Sequence, residues 1–297
     1  MLNYKFSIII LLTLSIIILD TVDLKAQDST EAPVVKKPKP VKYTFDGEWI
    51  IDNQTVMVPI KGSLEMAIQH RFGTLNNGVK DFFGLFAPSN IRIGLTYVPE
   101  SKFQLGVGLT KERMQLDLNA KYAIVQQTPG TIPVSVSFYG NSVIDCRDMS
   151  NFRYSVDRFS YFSELMFARK ITSAFSAQVA PTISWFNNVE AYVDSKGQIQ
   201  NKMKNVHFAV NILGRYKISE KSSIIAGYDQ PVTQHPTNNP HPNLSFGFET
   251  TTSSHTFQVF ATNYYGLVPQ SNNFYNQNDY TKGQFVIGFN ITRLWNF

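Results

Sequence analysis

The sequence predicts an all-β fold: a closed, antiparallel, up-and-down transmembrane β-barrel of about twelve strands, with short periplasmic turns and longer extracellular loops. Three observations carry this expectation. Apolar and polar residues alternate with a period of two through most of residues 63–297. The connections between the alternating runs are short and long in turn. The last run, 284–297, is apolar on one face (Phe285, Ile287, Phe289, Ile291) and ends at Trp295 and Phe297, which resembles the assembly signal of bacterial outer-membrane barrels.

At the amino terminus, Lys5 opens a short basic region, residues 6–19 are mostly apolar, and Leu24-Lys25-Ala26 offers a cleavage site. Residues 1–26 therefore read as a signal peptide, with the mature chain starting at Gln27. No cysteine follows the apolar run, which disfavours a lipoprotein. Residues 27–48 form a Pro/Lys-rich leader: Pro33, Pro38 and Pro40 stiffen it, and Lys36, Lys37, Lys39 and Lys42 supply much of the net charge of +5. An exported chain with no compact basic domain gives no reason to expect nucleic acid. Residues 49–297 form the barrel domain. Within it, 49–62 precede the first clear strand and either enter the lumen as a plug or lie against the periplasmic rim; Pro59 argues against a central strand.

The strands follow in order. Leu64, Met66 and Ile68 alternate with Glu65, Ala67 and Gln69. Ile91, Ile93, Leu95 and Tyr97 alternate with Arg92, Gly94 and Thr96, and Phe103 to Leu109 continue the pattern over Gln104, Gly106 and Gly108. Leu116 to Tyr122 enclose Asp117, Asn119 and Lys121; Val134, Val136 and Phe138 stand against Ser135, Ser137 and Tyr139. Further runs lie at 159–169, 175–185, 206–216, 223–229, 244–250, 256–264 and 284–295. Each approaches the ~9–11 residues that a tilted membrane strand needs. Tight turns at 99–102, 127–131, 171–174, 219–222 and 252–255 alternate with loops near 72–88, 144–157, 186–204, 230–243 and 265–282; the link 111–114 is a short exception. This asymmetry puts both termini in the periplasm. The aromatic content of 13% suits interfacial girdles.

Outward positions read as Ile, Val, Leu, Phe and Tyr, and inward ones as Ser, Thr, Gln, Asn, Gly and charges. The inward set names candidate lumen-lining residues: Arg92, Asp117, Lys121, Glu164, Lys170, Arg215 and Glu249. In a narrow lumen they are expected to pair across it, giving a polar, partly obstructed interior. The loop at 230–242 is rich in proline and holds outer-loop binding candidates His235, Asn238, Asn239 and His241. Asp229, His235 and His241 are weak metal-ligand candidates whose spacing fits no strong zinc pattern; a stiff, turn-rich loop is the simpler account. Asp81–Phe86 in the first loop is expected to pack in the barrel mouth, because an exposed Phe cluster is costly. Asn-rich 271–278 suits sugars and turns alike. The single Cys146 cannot form an internal bridge and has no ligand partner near it in sequence.

Hydrolase motifs are missing from the sequence. Ser254 beside His255 falls in a tight turn, and His70 and His207 have no serine at alternate spacing. Several strings resemble, together, a bacteroidete-type family of outer-membrane β-barrels of unknown function, DUF5777: residues 49–62, 69–73, 83–92, 235–244, 263–266 and 287–295. The resemblance spans about residues 42–297 and implies a barrel in the outer membrane; the family has no assigned activity and supplies no functional residues. The expected role is a narrow pore or small-solute binding and transport barrel, or a membrane component of an envelope assembly. A lipid-modifying enzyme and a structural or adhesive barrel stand as alternatives. No cofactor is implied. The expected partners are outer-membrane lipid, a small solute, and the barrel-assembly machinery through the strand ending at Phe297.

Overall fold

Twelve antiparallel strands close on themselves in the computed structural model, which describes residues 38–297. The expected signal peptide and residues 27–37 of the leader lie outside the described residues. The strands are β1 (Ser63–Thr74), β2 (Asn90–Glu100), β3 (Phe103–Thr110), β4 (Gln115–Val125), β5 (Ser135–Asp145), β6 (Phe159–Lys170), β7 (Phe175–Phe186), β8 (Val206–Lys217), β9 (Ser222–Pro231), β10 (Asn243–Thr251), β11 (His255–Thr262) and β12 (Val286–Asn296). Each pairs with its neighbours in sequence, and β12 returns to β1 with Asn296 opposite Ser63 and Ile291 opposite Ile68. Closure leaves no edge strand, which a barrel in lipid requires. Eleven residues at about 3.3 Å each, tilted by roughly 40°, span about 28 Å, close to the hydrocarbon thickness.

The connections sort to the two ends as expected. Short turns such as 101–102, 171–174 and 252–254 lie at the end holding the termini. The loops 75–89, 146–158, 187–205, 232–242 and 263–285 lie at the other end, with 111–114 short among them. The longest carries one helix, α1 (Pro269–Tyr275), with proline in its first turn where no backbone N–H is needed.

Side chains alternate strictly in β1: Ser63, Glu65, Ala67, Gln69 and Arg71 are buried and the residues between them face out. Ile93, Leu95, Tyr97, Leu105, Leu109, Leu118, Phe246 and Phe248 stand exposed on the outer surface. Each would cost ~1.5–3 kcal/mol against water, and lipid removes that cost.

The inner face corrects one expectation. It is not uniformly polar: Tyr139, Phe162, Met166, Ala168, Ala180, Leu213, Ile225 and Phe260 are buried in one core with Phe45, Ile50, Ile51 and Val56. The last four belong to the segment before β1. Residues 44–56 lie inside the barrel, and the two-residue strands Trp49–Ile50 and Asn53–Gln54 form a small hairpin there. The leader boundary at residue 48 also shifts. Thr44, Phe45 and Glu48 are buried, because Phe45 joins the apolar core and Glu48 pairs with the wall.

A closed ladder with a packed interior resists detergent. Unboiled protein is expected to migrate faster than boiled protein on an SDS gel; identical mobility would count against closure.

Candidate functional site

The lumen is the place where side chains of unlike chemistry converge, and two segments of the chain occupy it from opposite ends. From the terminal end comes 44–56. Its peptide groups have left water, so each needs a partner. Two glutamines on the wall supply them in the same manner. Gln258 accepts from Ile51 N–H at 3.1 Å and donates to Trp49 C=O at 2.9 Å. Gln178 accepts from Val56 N–H at 3.0 Å and donates to Gln54 C=O at 2.7 Å. One amide bridging the C=O of residue i and the N–H of i+2 reproduces the bonding of a neighbouring parallel strand. Asn290 Nδ2 donates to Ile51 C=O at 2.6 Å and Ser137 Oγ to Val56 C=O at 2.8 Å.

Charge fixes the same segment. Asp52 pairs with Arg71, Glu48 lies 3.5 Å from Lys121, and Asp46 pairs with Arg215. Arg71 is also 4.3 Å from the centre of the Phe260 ring, and Lys121 Nζ donates to Gln54 Oε1 at 2.7 Å. Arg71 and Lys121 are 0% and 1% exposed, so water does not screen the first two pairs.

The wall candidates fall into place around this occupant. Arg92 forms a two-pronged pair with Asp117, 2.8 Å for each contact, and donates to Gln69 Oε1 at 3.0 Å. Gly94 and Gly108 make room for it, since a Cβ at either would collide with the guanidinium. Arg215 donates to Glu249 at 2.9 Å. Glu164 is buried on the inner face of β6. Direct pairing of these wall residues across the lumen is thus corrected for two of them: Lys121 and Arg215 reach carboxylates of the inserted segment, because that segment stands between them and the far wall. Lys170 is corrected too. It ends β6 at the rim, where its Nζ donates to Lys42 C=O at 3.4 Å, rather than lining the lumen. Sequence reasoning missed Asp46, Glu48, Asp52 and Arg71; the inward parity of Arg71 beside Gln69 was the available signal.

From the loop end, α1 enters with Gln270, Asn272, Asn273 and Phe274 buried. Gln270 donates to Asn141 Oδ1 at 3.2 Å, and Asn243 donates to Asn273 at 3.2 Å. Phe274 packs on Phe186 and on two stacked histidines, His207 and His235, whose planes differ by 8°. Their protons follow from the bonds. Lys204 N–H donates to His235 Nδ1 at 3.0 Å, so neutral His235 carries its proton on Nε2, 2.9 Å from His207 Nδ1. His207 then holds its proton on Nε2, which is buried without a partner.

The metal-ligand candidates do not converge. Asp229 belongs to the wall, where it accepts from Asn243 at 3.0 Å, Asn53 at 3.3 Å and Asn211. His235 faces His207, while His241 is joined through its backbone to Asn276. Among the described residues no group of three ligating side chains is placed to hold a metal. Asn239 closes the turn by bonding the His235 backbone at 2.7 and 2.9 Å, and Asn238 sits in left-handed backbone with its C=O accepting from Gln277. Ser254 Oγ is 3.1 Å from His255 Nδ1 in a terminal-end turn, and no carboxylate bonds this histidine among the described residues. Cys146 is exposed.

The first loop departs from its expected mouth packing. Phe82, Phe83 and Phe86 are 54%, 49% and 82% exposed. The backbone imposes this. Phe82 and Phe83 take left-handed φ of 53° and 56°, and Asp81 and Gly78 hold the turn through Gly84 N–H and Phe83 N–H.

A closed antiparallel barrel with an apolar outer belt and a polar, filled lumen is an outer-membrane β-barrel. The chain belongs to the family described as membrane bound beta barrel domain (DUF5777), which matches residues 45–295. The match begins within the inserted segment, so that segment is part of the family's domain. No curated protein matches the sequence. Among solved structures, the chain is similar to the NanC porin (9% identity, 78% of this chain, 99% of that one, TM-score 0.47). It is also similar to an outer-membrane channel from Pseudomonas putida F1 (10%, 80%, 97%, 0.47). A third is the translocator domain of the autotransporter NalP from Neisseria meningitidis (12%, 80%, 89%, 0.41).

Two outcomes follow from this geometry. Arg71→Ala strands Asp52 as a buried, unpaired charge; a loss of ~3–5 kcal/mol is expected in the urea midpoint, with faster hydrogen exchange concentrated in 44–56. Burial, with Lys204 beside it, holds His235 below the ordinary histidine value of 6.5. The neutral ring therefore contributes stability that is complete above pH 6.5 and is lost as pH falls through the lowered value. Exchange protection in 232–242 is expected to be flat at higher pH and to drop on acidification, and His235→Gln should weaken the dependence.

Proposed function

We propose that this chain is a small-solute barrel of the outer membrane whose passage is closed by its own residues 44–56, with the termini in the periplasm and the long loops outside. The observation that carries the reading is the way the segment is held. Its contacts with the wall are side-chain hydrogen bonds, ion pairs and apolar packing, and none belongs to the barrel ladder. The segment can leave while all twelve strands stay paired. Leaving is costly, because Arg71 and Lys121 would lose their buried carboxylate partners at several kcal/mol each, while Arg215 would keep only Glu249. Opening therefore calls for a periplasmic partner that draws on the leader, or a solute that replaces the lost contacts.

The emptied lumen would carry both signs, Arg71, Arg92, Lys121 and Arg215 against Glu65, Asp117, Glu164, Asp229 and Glu249. Such a wall favours neutral or zwitterionic polar solutes over one class of ion. Strand β12, ending beside Phe297, is the element offered to the assembly machinery.

Planar-bilayer recording separates the outcomes. Intact protein is expected to be nearly silent, whereas deletion of 44–56, or the triple change D46N/E48Q/D52N, should give steady conductance steps. A deletion variant that keeps its heat-dependent gel shift and yet stays silent would sink the pore reading.

A further inference from the structure

Outside the plugged lumen, the loop end holds a second concave site. A cavity of about 230 Å³ lies between the link 111–114 and the loop 263–285. Its volume falls below the ~300 Å³ at which drug-sized ligand pockets begin, so it suits a single small ring.

Three features show that it is built to hold something. Arg113 and Met114 both take left-handed φ, 54° and 48°, at the tip of the link. Non-glycine residues hold that conformation only when their surroundings enforce it, and here it carries the Arg113 guanidinium to 5.5 Å from the centre of the Tyr275 ring. Arg113 makes no hydrogen bond or ion pair among the described residues, so its donors are free to meet a ligand. Across the cavity, Asn272 is 5% exposed and its Oδ1 has no partner, a buried acceptor left unfilled. A Cβ at Gly266 would meet Asn272 Oδ1 at 2.5 Å, so only glycine lets this amide lie against the cavity wall.

The remaining chemistry narrows the ligand class. Glu112 sits beside Arg113 with Oε2 already accepting from Asn90 at 3.1 Å, which leaves Oε1 as an acceptor. One carboxylate and one guanidinium side by side cancel in net charge. Tyrosine rings, an amide and unpaired ionic groups of both signs match a molecule with an apolar C–H face and hydroxyls that both donate and accept. We infer that this cavity binds one ring of a neutral sugar, presented at the loop end. The inference deepens the small-solute reading by naming the solute class. It rests on that reading only for the step from binding to passage.

Titration calorimetry on the detergent-solubilised, intact barrel tests the binding by itself. The probes are glucose, galactose, N-acetylglucosamine and maltose, with glycine as a zwitterionic comparison. Saturable binding of at least one sugar is expected, weakened about tenfold or more in Arg113→Ala and in Tyr275→Ala. Lys221→Ala, at the opposite end, should leave it unchanged, and the heat-dependent gel shift reports that each variant is folded. Binding by none of the four sugars, binding by glycine instead, or sugar binding indifferent to both variants overturns the assignment. The wild-type barrel needs no open lumen for this measurement. A failed titration beside a conducting plug deletion therefore removes the sugar site alone, and bound sugar beside a silent deletion removes the pore alone.

Discussion

A stretch of backbone that enters a closed barrel gives up its water, and every peptide group it carries must then be met by the wall. That requirement explains most of the inner surface. Gln178 and Gln258 spend both ends of their amides on the inserted segment, each acting in place of a parallel strand. Asn290 and Ser137 take single carbonyls. These four wall residues are thus not a generic wet lining. They are positioned acceptors and donors, and an unmet group at this depth would cost ~1–3 kcal/mol.

The same segment explains why the barrel contains an apolar core. Phe45, Ile50, Ile51 and Val56 need burial, and Phe162, Met166, Leu213, Ile225 and Phe260 provide it from the wall. The molecule faces lipid outside and packs like a small soluble protein inside. The two layers are related through the pleat of each strand, since every residue serves one side only. Charged pairs set the register between them. Arg71, Lys121 and Arg215 lie on well-separated strands, β1, β4 and β8, so their three carboxylate partners hold the segment in one orientation.

Much of the barrel is legible in the sequence because the physics is local: a period of two and the length of a turn need only near neighbours. The faces of Arg92, Asp117, Lys121, Arg215 and Glu249 follow from that period. Position of the amino-terminal segment does not, since Trp49–Pro59 looks the same whether it lies on the rim or in the lumen. A usable clue was present. In β6, Tyr161, Leu165 and Phe167 face out while Phe162, Met166 and Ala168 face in, so the strand is apolar on both sides. A strand apolar on both faces is buried on both. The pairing of His207 with His235, by contrast, depends on how a proline-rich loop folds back, and no local pattern encodes it. The exposed Phe82 and Phe86 likewise follow from left-handed backbone that sequence composition does not reveal.

The three ion pairs between inserted segment and wall also bear on how such a sequence can change over generations. Asp52 is favourable only opposite Arg71, and Arg71 only opposite Asp52, because either alone is a stranded charge in a dry interior. Drift at one site is therefore conditional on drift at the other, although nineteen positions of chain separate them and the loss of both together is mild. The same holds for Glu48 with Lys121, whereas Arg215 keeps Glu249 when Asp46 changes. Substitutions in this domain should then arrive in pairs that straddle the boundary between insert and wall, so that the inserted segment and its barrel are inherited as one unit and are not exchangeable between lineages.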